Sequence, residues 1–222
     1  IVGSAYSEKG IEAFVTTPGE SLAPFHRFRS TGFTNSSALA LSADGSIAAG
    51  FGNPVDGVLI YNAFTWTMGG STDLGTLPGV SGYSIANALS PDGQFSAGWS
   101  ASPEGVQATL WSPGQPPSGL GDLPGGAFHS VARDVSADGS TVVGLSYSEA
   151  GPEAMIWTEE TGMVRMVDFL EAAGVEVGSW ILIEACGISA EGDTFAGTGL
   201  NPNGDTEAWM VELSSDSDGD GV

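Results

Sequence analysis

One short pattern recurs four times along this chain at nearly constant spacing. It reads A-x-x-[LVI]-S-[AP]-[DE]-G, and a second glycine follows five residues after the first. The copies are Ala38–Gly45, Ala86–Gly93, Ala132–Gly139 and Ala185–Gly192. The second glycines and the matching glycine near the start of the chain are 47, 48, 46 and 53 residues apart: Gly3, Gly50, Gly98, Gly144 and Gly197. A period of this length predicts a fold made of stacked, equivalent units.

The second half of each unit is the pattern [ENQ]-A-x-x-W. It occurs at Asn62–Trp66, Gln107–Trp111 and Glu153–Trp157, and the first and last copies carry Thr16 and Val211 at the tryptophan position. In the best-matching copy the apolar runs predict four strands, named a to d: Val131–Ser136, Thr141–Tyr147, Ala154–Thr158 and Met163–Asp168. The Asp-Gly pair between strands a and b favours a tight hairpin, and we interpret the periodic glycines as turn residues.

Four antiparallel strands in each period of about 40–50 residues are typical of a propeller blade. We therefore predict an all-β fold, a β-propeller of about five four-stranded blades whose terminal blades are incomplete. The tryptophan of strand c is expected to fill the space between adjacent blades. One short helix is expected near residues 168–173, with Asp168 as its N-cap and Gly174 just beyond its C-terminus.

The predicted strands number eighteen, two fewer than five complete blades require. Three explanations are open: a five-bladed ring with thin terminal blades, a longer polypeptide, or a neighbouring chain that supplies the missing strands. We favour the first for a monomer and keep the third, because both ends leave an unpaired edge. The predicted domains are the propeller, residues 1–213, and an acidic tail, residues 214–222.

The repeat motifs resemble the HAF repeats of bacterial extracellular proteins. The resemblance rests on [LV]-S-A-D-G-S-x-V-V-G, E-A-x-x-W-T, G-M-x-x-[LM] and L-G-D-L-P-G-G, and it covers Ile1–Leu213. It implies a propeller-like fold and a secreted or cell-surface location. It implies no established activity, so no catalytic residues are carried over from the family.

The formal net charge of −22 restricts the possible partners. So acidic a surface repels nucleic acid and anionic lipid and attracts divalent cations. No apolar run has the length of a membrane span, so we expect no membrane insertion. The lone cysteine, Cys186, cannot form an intrachain disulfide, and we expect it in or near the core.

The acidic tail carries the one motif with ligand chemistry. Asp216, Asp218 and Asp220 are followed by Gly221, which gives D-x-D-x-D-G, the first half of an EF-hand-type loop. The tail also resembles the opening of dockerin and thrombospondin-type-3 calcium repeats. We predict Ca²⁺ as the ligand of these three carboxylates; a disordered acidic tail without a metal is the alternative.

No catalytic motif stands out, because the chain has only two histidines and lacks G-x-S-x-G and H-E-x-x-H. We therefore expect a non-enzymatic structural or adhesive propeller that assembles with itself through edge strands and calcium. The alternative is a carbohydrate- or peptide-binding module, with extracellular polysaccharide as a partner. That alternative predicts exposed aromatic side chains on one face of the ring, from the set Tyr61, Tyr83, Trp99, Phe128 and Tyr147. A glycosidase would instead need two carboxylates facing each other in a deep pocket.

Overall fold

The computed structural model describes residues 1–7, 10–15, 33–54 and 61–213. Within these ranges it contains seventeen strands and one short helix. The strands fall into five consecutive groups, called units 1 to 5. Unit 1 holds β1 (Val2–Ser7) and β2 (Gly10–Val15); unit 2 holds β3 (Phe33–Leu41), β4 (Ala48–Pro54), β5 (Asn62–Thr67) and β6 (Gly70–Asp73); unit 3 holds β7 (Ser84–Leu89), β8 (Ser96–Ala101), β9 (Val106–Trp111) and β10 (Ser118–Gly119); unit 4 holds β11 (Gly125–Val135), β12 (Thr141–Ser148), β13 (Gly151–Thr158) and β14 (Gly162–Arg165); and unit 5 holds β15 (Ile181–Ile188), β16 (Thr194–Leu200) and β17 (Thr206–Glu212).

Each unit is an antiparallel meander in which neighbouring strands in sequence pair with each other. Units 2, 3 and 4 have all four predicted strands in the order a, b, c, d. A single parallel bridge between Val106 of β9 and His129 of β11 joins the sheets of units 3 and 4. The predicted strand d of the first unit lies outside the described residues. The all-β fold with one short helix is confirmed, and so is the four-strand unit.

The Asp-Gly turns between strands a and b are built alike in units 2, 3 and 4. In unit 2 the carboxylate of Asp44 accepts hydrogen bonds from the hydroxyl of Ser42 and from both the amide and the hydroxyl of Ser46. Gly45 follows with φ +74°, a conformation that glycine adopts without a steric cost. The prediction of tight Asp-Gly hairpins is confirmed.

Periodic glycines were interpreted as turn residues, but the second repeat glycine lies in the middle of strand b, within the bounds predicted for that strand. It sits opposite a β-bulge in strand a. A Cβ atom on Gly144 would lie 2.0 Å from the carbonyl oxygen of Val131, and one on Gly50 would lie 1.9 Å from that of Ser37. These glycines are therefore required by the close approach of two paired backbones.

The core is divided among the junctions between successive units. Each sheet has a glycine face, which carries the mid-strand glycine, and an alanine face, which carries the alanine of the [ENQ]-A motif. The alanine face of each unit packs on the glycine face of the next one, and this arrangement produces four hydrophobic clusters. The strand-c alanines of the first four units are almost completely buried: Ala13, Ala63, Ala108 and Ala154.

The strand-c tryptophans fill these junctions, as predicted. Trp66 and Trp111 are buried in the clusters between units 1 and 2 and between units 2 and 3, and Trp157 packs against the cluster between units 3 and 4. In unit 5 a tryptophan at a different position fills the junction. This residue is Trp209, two residues before the usual position, and it lies over Gly197 on the same face.

Buried serines connect units 1 to 4, each to the next, by hydrogen bonds, a feature that the sequence reasoning missed. The hydroxyl of Ser84 accepts a hydrogen bond from the amide of Ala63 and donates one to the carbonyl of Gly75. Ser130 makes the equivalent pair of bonds to unit 3. The signal was present in the sequence, because each of these serines stands two residues before the alanine that opens the repeat.

The helix α1 (Met166–Ala172) forms where it was predicted and links units 4 and 5. Its C-terminus is a Schellman motif, in which the amides of Gly174 and Val175 donate to the carbonyls of Glu171 and Leu170. The predicted N-cap is wrong. Arg165 is the N-cap residue, and Asp168 lies inside the first turn, where its carboxylate binds the Arg165 guanidinium.

Cys186 is exposed, so the prediction of a core position is wrong. It is the bulge residue of β15, and a bulge turns the extra side chain away from the packed faces. Burial of part of the side chain and the nearby Glu184 carboxylate raise the pKa of the Cys186 thiol.

In the described part of the chain, no helix is long and apolar enough to cross a membrane.

Candidate functional site

Aromatic side chains gather at one end of the strands in units 2 to 4. This aromatic rim consists of Phe51, Tyr61, Tyr83, His129 and Tyr147. It lies where strand b ends and where strands a and c begin. Because the same strand ends meet at the same edge in every unit, residues far apart in sequence become neighbours there.

Two tyrosines form the centre of the rim. Tyr61 stands just before β5 and Tyr83 just before β7, and the amide of Ser84 donates to the Tyr61 carbonyl at 2.8 Å. The two rings lie 6.1 Å apart with an angle of 37° between their planes. Phe51 packs edge-on against Tyr61 with ring centroids 5.2 Å apart, which supports one side of the pair. The result is a surface of adjacent rings whose backbone is held by strand hydrogen bonds.

The five aromatic candidates predicted from sequence differ in exposure. Tyr61, Tyr83 and Tyr147 are 38%, 46% and 37% exposed, whereas Trp99 and Phe128 are half-buried. The expected exposed aromatics at one end are therefore present. Sequence reasoning did not include His129, whose ring packs against Tyr147 at 5.1 Å, or the supporting ring of Phe51.

The opposite end of the strands carries a groove between units 3 and 4. It has a volume of about 620 Å³, and Phe95, Trp157, Pro116 and Pro117 form its apolar part. A smaller groove of about 310 Å³ lies between units 2 and 3, and Gln115 lines both. Much of the apolar surface here is the edge of the junction packing.

A third pocket, of about 250 Å³, lies between unit 4 and α1 and contains three carboxylates, those of Glu153, Asp168 and Glu171. Arg165 contacts two of them: its guanidinium lies 2.5 Å from Asp168 and 3.5 Å from Glu153. The hydrogen bond to Asp168 is the main cause of the raised pKa of Arg165. This ion-pair network suits a structural role at the helix start better than it suits a pair of carboxylates acting as acid and base.

The a strands of units 4 and 5, β11 and β15, carry a second set of interacting polar side chains. Arg133 forms an ion pair with Glu184 at 2.5 Å, and the carboxylate of Asp134 accepts hydrogen bonds from the amides of Val135 and Ile188. Burial raises the pKa of Asp134, although these hydrogen bonds oppose the shift. Because Ile188 belongs to unit 5, Asp134 joins two units.

The predicted calcium ligands Asp216, Asp218 and Asp220 lie outside the described residues. Within residues 1–213, as far as they are described, no group of three His, Cys, Asp or Glu side chains is placed to hold a metal ion. The aromatic rim is therefore the candidate site that the described structure defines best.

No protein-family model matches the chain, and no curated protein sequence matches it. Its fold is similar to that of TolB from Acinetobacter baumannii, with a TM-score of 0.51, 15% identity and coverage of 82% of this chain and 41% of that one. It is also similar to the putative TolB from Agrobacterium tumefaciens, with a TM-score of 0.50, 12% identity and coverage of 78% and 60%.

These similarities show the fold alone, and the fold is that of a TolB-like β-propeller. The chain spans less than two thirds of the length of either TolB structure. The class of protein defined by the fold is thus a propeller module built of repeated four-stranded units.

Proposed function

We propose that this chain is a non-enzymatic adhesive propeller of about five blades, secreted or held at the cell surface, which binds extracellular polysaccharide at the aromatic rim. The observation that carries the proposal is the exposed Tyr61–Tyr83 ring pair, in which Tyr61 also packs against Phe51. The resemblance of the repeats to HAF repeats supports the extracellular location.

The rim suits the chemistry of sugars. A pyranose ring has an apolar face that stacks on an aromatic ring, and its hydroxyls can bond to the tyrosine hydroxyl groups. Two tilted rings 6.1 Å apart can contact neighbouring residues of one polymer chain. The net charge of −22 disfavours sulfated or uronic-acid polymers, so the ligand class is a neutral polysaccharide.

The test compares the binding of soluble neutral glucans and mannans to the wild-type chain and to the Tyr61→Ala/Tyr83→Ala double variant, by affinity electrophoresis and calorimetry. If each ring contributes about 1 kcal/mol, the double variant loses roughly 30-fold in affinity. Met68→Ala is the control, because Met68 is 71% exposed and lies in the turn between β5 and β6, at the opposite end of the strands.

Two results would count against this function. Wild-type affinity in the double variant would remove the rim from the site. An absence of binding by the wild-type chain to every neutral polymer would remove polysaccharide as the partner. A variant of the opposite groove, Gln115→Ala, separates the two ends of the molecule, since the proposal expects it to bind like the wild type.

Calcium at the acidic tail is part of the same proposal. Alternating carboxylates and a following glycine supply hard oxygen ligands and a sharp turn, both of which Ca²⁺ requires. Calorimetric titration of the full chain with Ca²⁺ should show a site that the Asp216→Asn/Asp218→Asn/Asp220→Asn triple variant lacks. Equal heats for both proteins would show that the tail is an acidic segment without a metal.

A further inference from the structure

The groove between units 3 and 4 presents an aromatic side chain that units 2 and 3 bury. Trp66 and Trp111 are 3% and 4% exposed, whereas Trp157, at the same position of unit 4, is only half-buried. Trp157 lines the groove, whose volume is about 620 Å³. This volume lies within the range of pockets that bind a drug-sized ligand, and a short peptide segment is of similar size.

The groove between units 2 and 3 provides a comparison within the same chain. It is formed by the equivalent segments, with Trp111 at the position of Trp157 and Pro113 at the position of Glu159. Its volume is about 310 Å³ and its tryptophan is buried. The larger groove therefore differs from the smaller one by an accessible indole surface and an additional carboxylate, both of which can bind a cation.

The larger groove carries negative charge that no cation neutralises within the described structure. Among the described residues that line it, Asp138 and Glu159 are acidic and none is basic. Neither carboxylate forms an ion pair with a described residue. Hydrogen bonds from the amide of Ser140 and from the hydroxyls of Ser136 and Ser140 lower the pKa of Asp138. All three bonds end on Oδ1, so Oδ2 of the charged carboxylate is free to bind a cationic ligand.

The apolar lining indicates which cation fits. Phe95, Pro116 and Pro117 form apolar surface beside the indole and the carboxylates. An arginine side chain matches this combination, because its planar guanidinium stacks on an aromatic face and also bonds to carboxylates. Its aliphatic stem and an apolar neighbouring residue can cover the phenylalanine and the prolines. A basic peptide therefore complements more of the groove than a free small cation does.

We propose that this groove binds a basic peptide segment of a partner protein, with an arginine stacked on Trp157 and paired with Glu159 and Asp138. An apolar residue of the same segment packs against Phe95 and the two prolines. The groove lies at the end of the strands opposite the aromatic rim, so the inference does not rest on polysaccharide binding. The two ligands would occupy separate ends of the molecule.

The first experiment titrates the full chain with the labelled peptide acetyl-Pro-Arg-Leu-Arg-amide and follows fluorescence anisotropy. The salt concentration is about 0.15 M, which screens the more distant surface charges. Glu159→Lys should weaken binding about tenfold or more, because it replaces an attraction in the groove by a repulsion. Glu160→Lys is the matched control: this neighbour is also exposed, lies outside the groove and changes the net charge equally, so its affinity should stay close to that of the wild type.

The second experiment tests the chemistry of the ligand and its place on the protein. A peptide with citrulline in place of both arginines keeps the shape and loses the charge, so it should bind at least tenfold more weakly. Spermine should also bind at least tenfold more weakly, because it cannot fill the apolar part of the groove. In NMR spectra the indole N–H signal of Trp157, recognised by its absence from Trp157→Phe, should shift when the arginine peptide is added to the wild type.

Four results would overturn the proposal. A wild-type chain that binds the arginine peptide no better than the citrulline peptide would exclude a cationic site. Equal losses of affinity in Glu159→Lys and Glu160→Lys would mean that the peptide follows the general acidic field of the surface. Spermine binding as tight as that of the peptide would replace the peptide by a small cation. An indole signal of Trp157 that does not move at saturation would place the peptide outside the groove.

Discussion

Gly144→Ala adds a single methyl group, and the repeat architecture predicts that it destabilises the fold strongly. A methyl group on Gly144 would lie 2.0 Å from the carbonyl oxygen of Val131 and 3.0 Å from the Cα of Ala132. A carbon and an oxygen that are not bonded normally approach no closer than about 3 Å, so the overlap is about 1 Å. The oxygen belongs to the backbone of the paired strand, so it cannot rotate away as a side chain can.

The loss in the free energy of unfolding depends on which part of the backbone has to move. Inserting a methyl group where side chains can adjust costs about 1–3 kcal/mol. Here β11 and β12 must separate at the register Ala132–Gly144, beside the bulge, which also disturbs the packed junction with unit 3. We therefore expect a loss of about 3 kcal/mol or more in the free energy of unfolding, a large part of the 5–15 kcal/mol typical of a domain.

Urea unfolding followed by circular dichroism measures this loss, and two further glycines separate its causes. At Gly69 the nearest obstacle to a Cβ is Thr67 Oγ1 at 3.5 Å, so Gly69→Ala should change stability little. Gly75 has φ +72° and open space around it, so Gly75→Ala should cost about 1 kcal/mol from backbone strain alone. The reasoning is refuted if Gly144→Ala is as stable as Gly69→Ala, or if Gly75→Ala is the worst of the three.

Other predictions concern the junctions and the turns. Ser130→Ala should lower the free energy of unfolding by about 1–3 kcal/mol, because it leaves one buried amide and one carbonyl of the preceding unit unpaired; Ser81→Ala, at an exposed position, should not. The hydrogen bond from the Ser46 amide, followed by the serine hydroxyls of the turn, lowers the pKa of Asp44 to about 2. The stability that this turn carboxylate contributes is therefore present above pH 3.8 and is lost as the pH falls through about 2. Burial raises the pKa of Asp134, so its ionisation opposes folding as the pH rises above 3.8; carboxyl NMR titration should place its midpoint above 3.8 and that of Asp44 far below.

Local sequence patterns accounted for the elements of this fold. The Asp-Gly pairs predicted the a–b turns, and Gly174 predicted the helix C-terminus. Trp66 and Trp111 were correctly placed between units. The turns depend on a few neighbouring residues, and the tryptophans are buried because exposing a large apolar side chain to water is unfavourable. Both features can therefore be predicted from the sequence alone.

Other features depend on which backbones meet, and these could not be predicted from the sequence. The bulge in each strand a brings a carbonyl against the mid-strand glycine. The predicted strand b contained Gly144, but nothing in the sequence showed why a glycine is required there. The same bulge exposes Cys186, which was expected in the core. A bulge is a property of the pairing of two strands and leaves little trace in either strand alone.

The sequence by itself determined the repeat, the all-β character and the acidic surface, because period, strand propensity and charge are properties of the chain alone. The tertiary structure decided the candidate site and which strand faces are buried. Tyr61 and Tyr83 are 22 residues apart and become neighbours only when units 2 and 3 pack side by side. Ala208 and Ala154 occupy the same motif and differ only in whether another sheet covers them. Burial is a relation between surfaces, so the same motif can produce a core residue in one unit and an exposed residue in another.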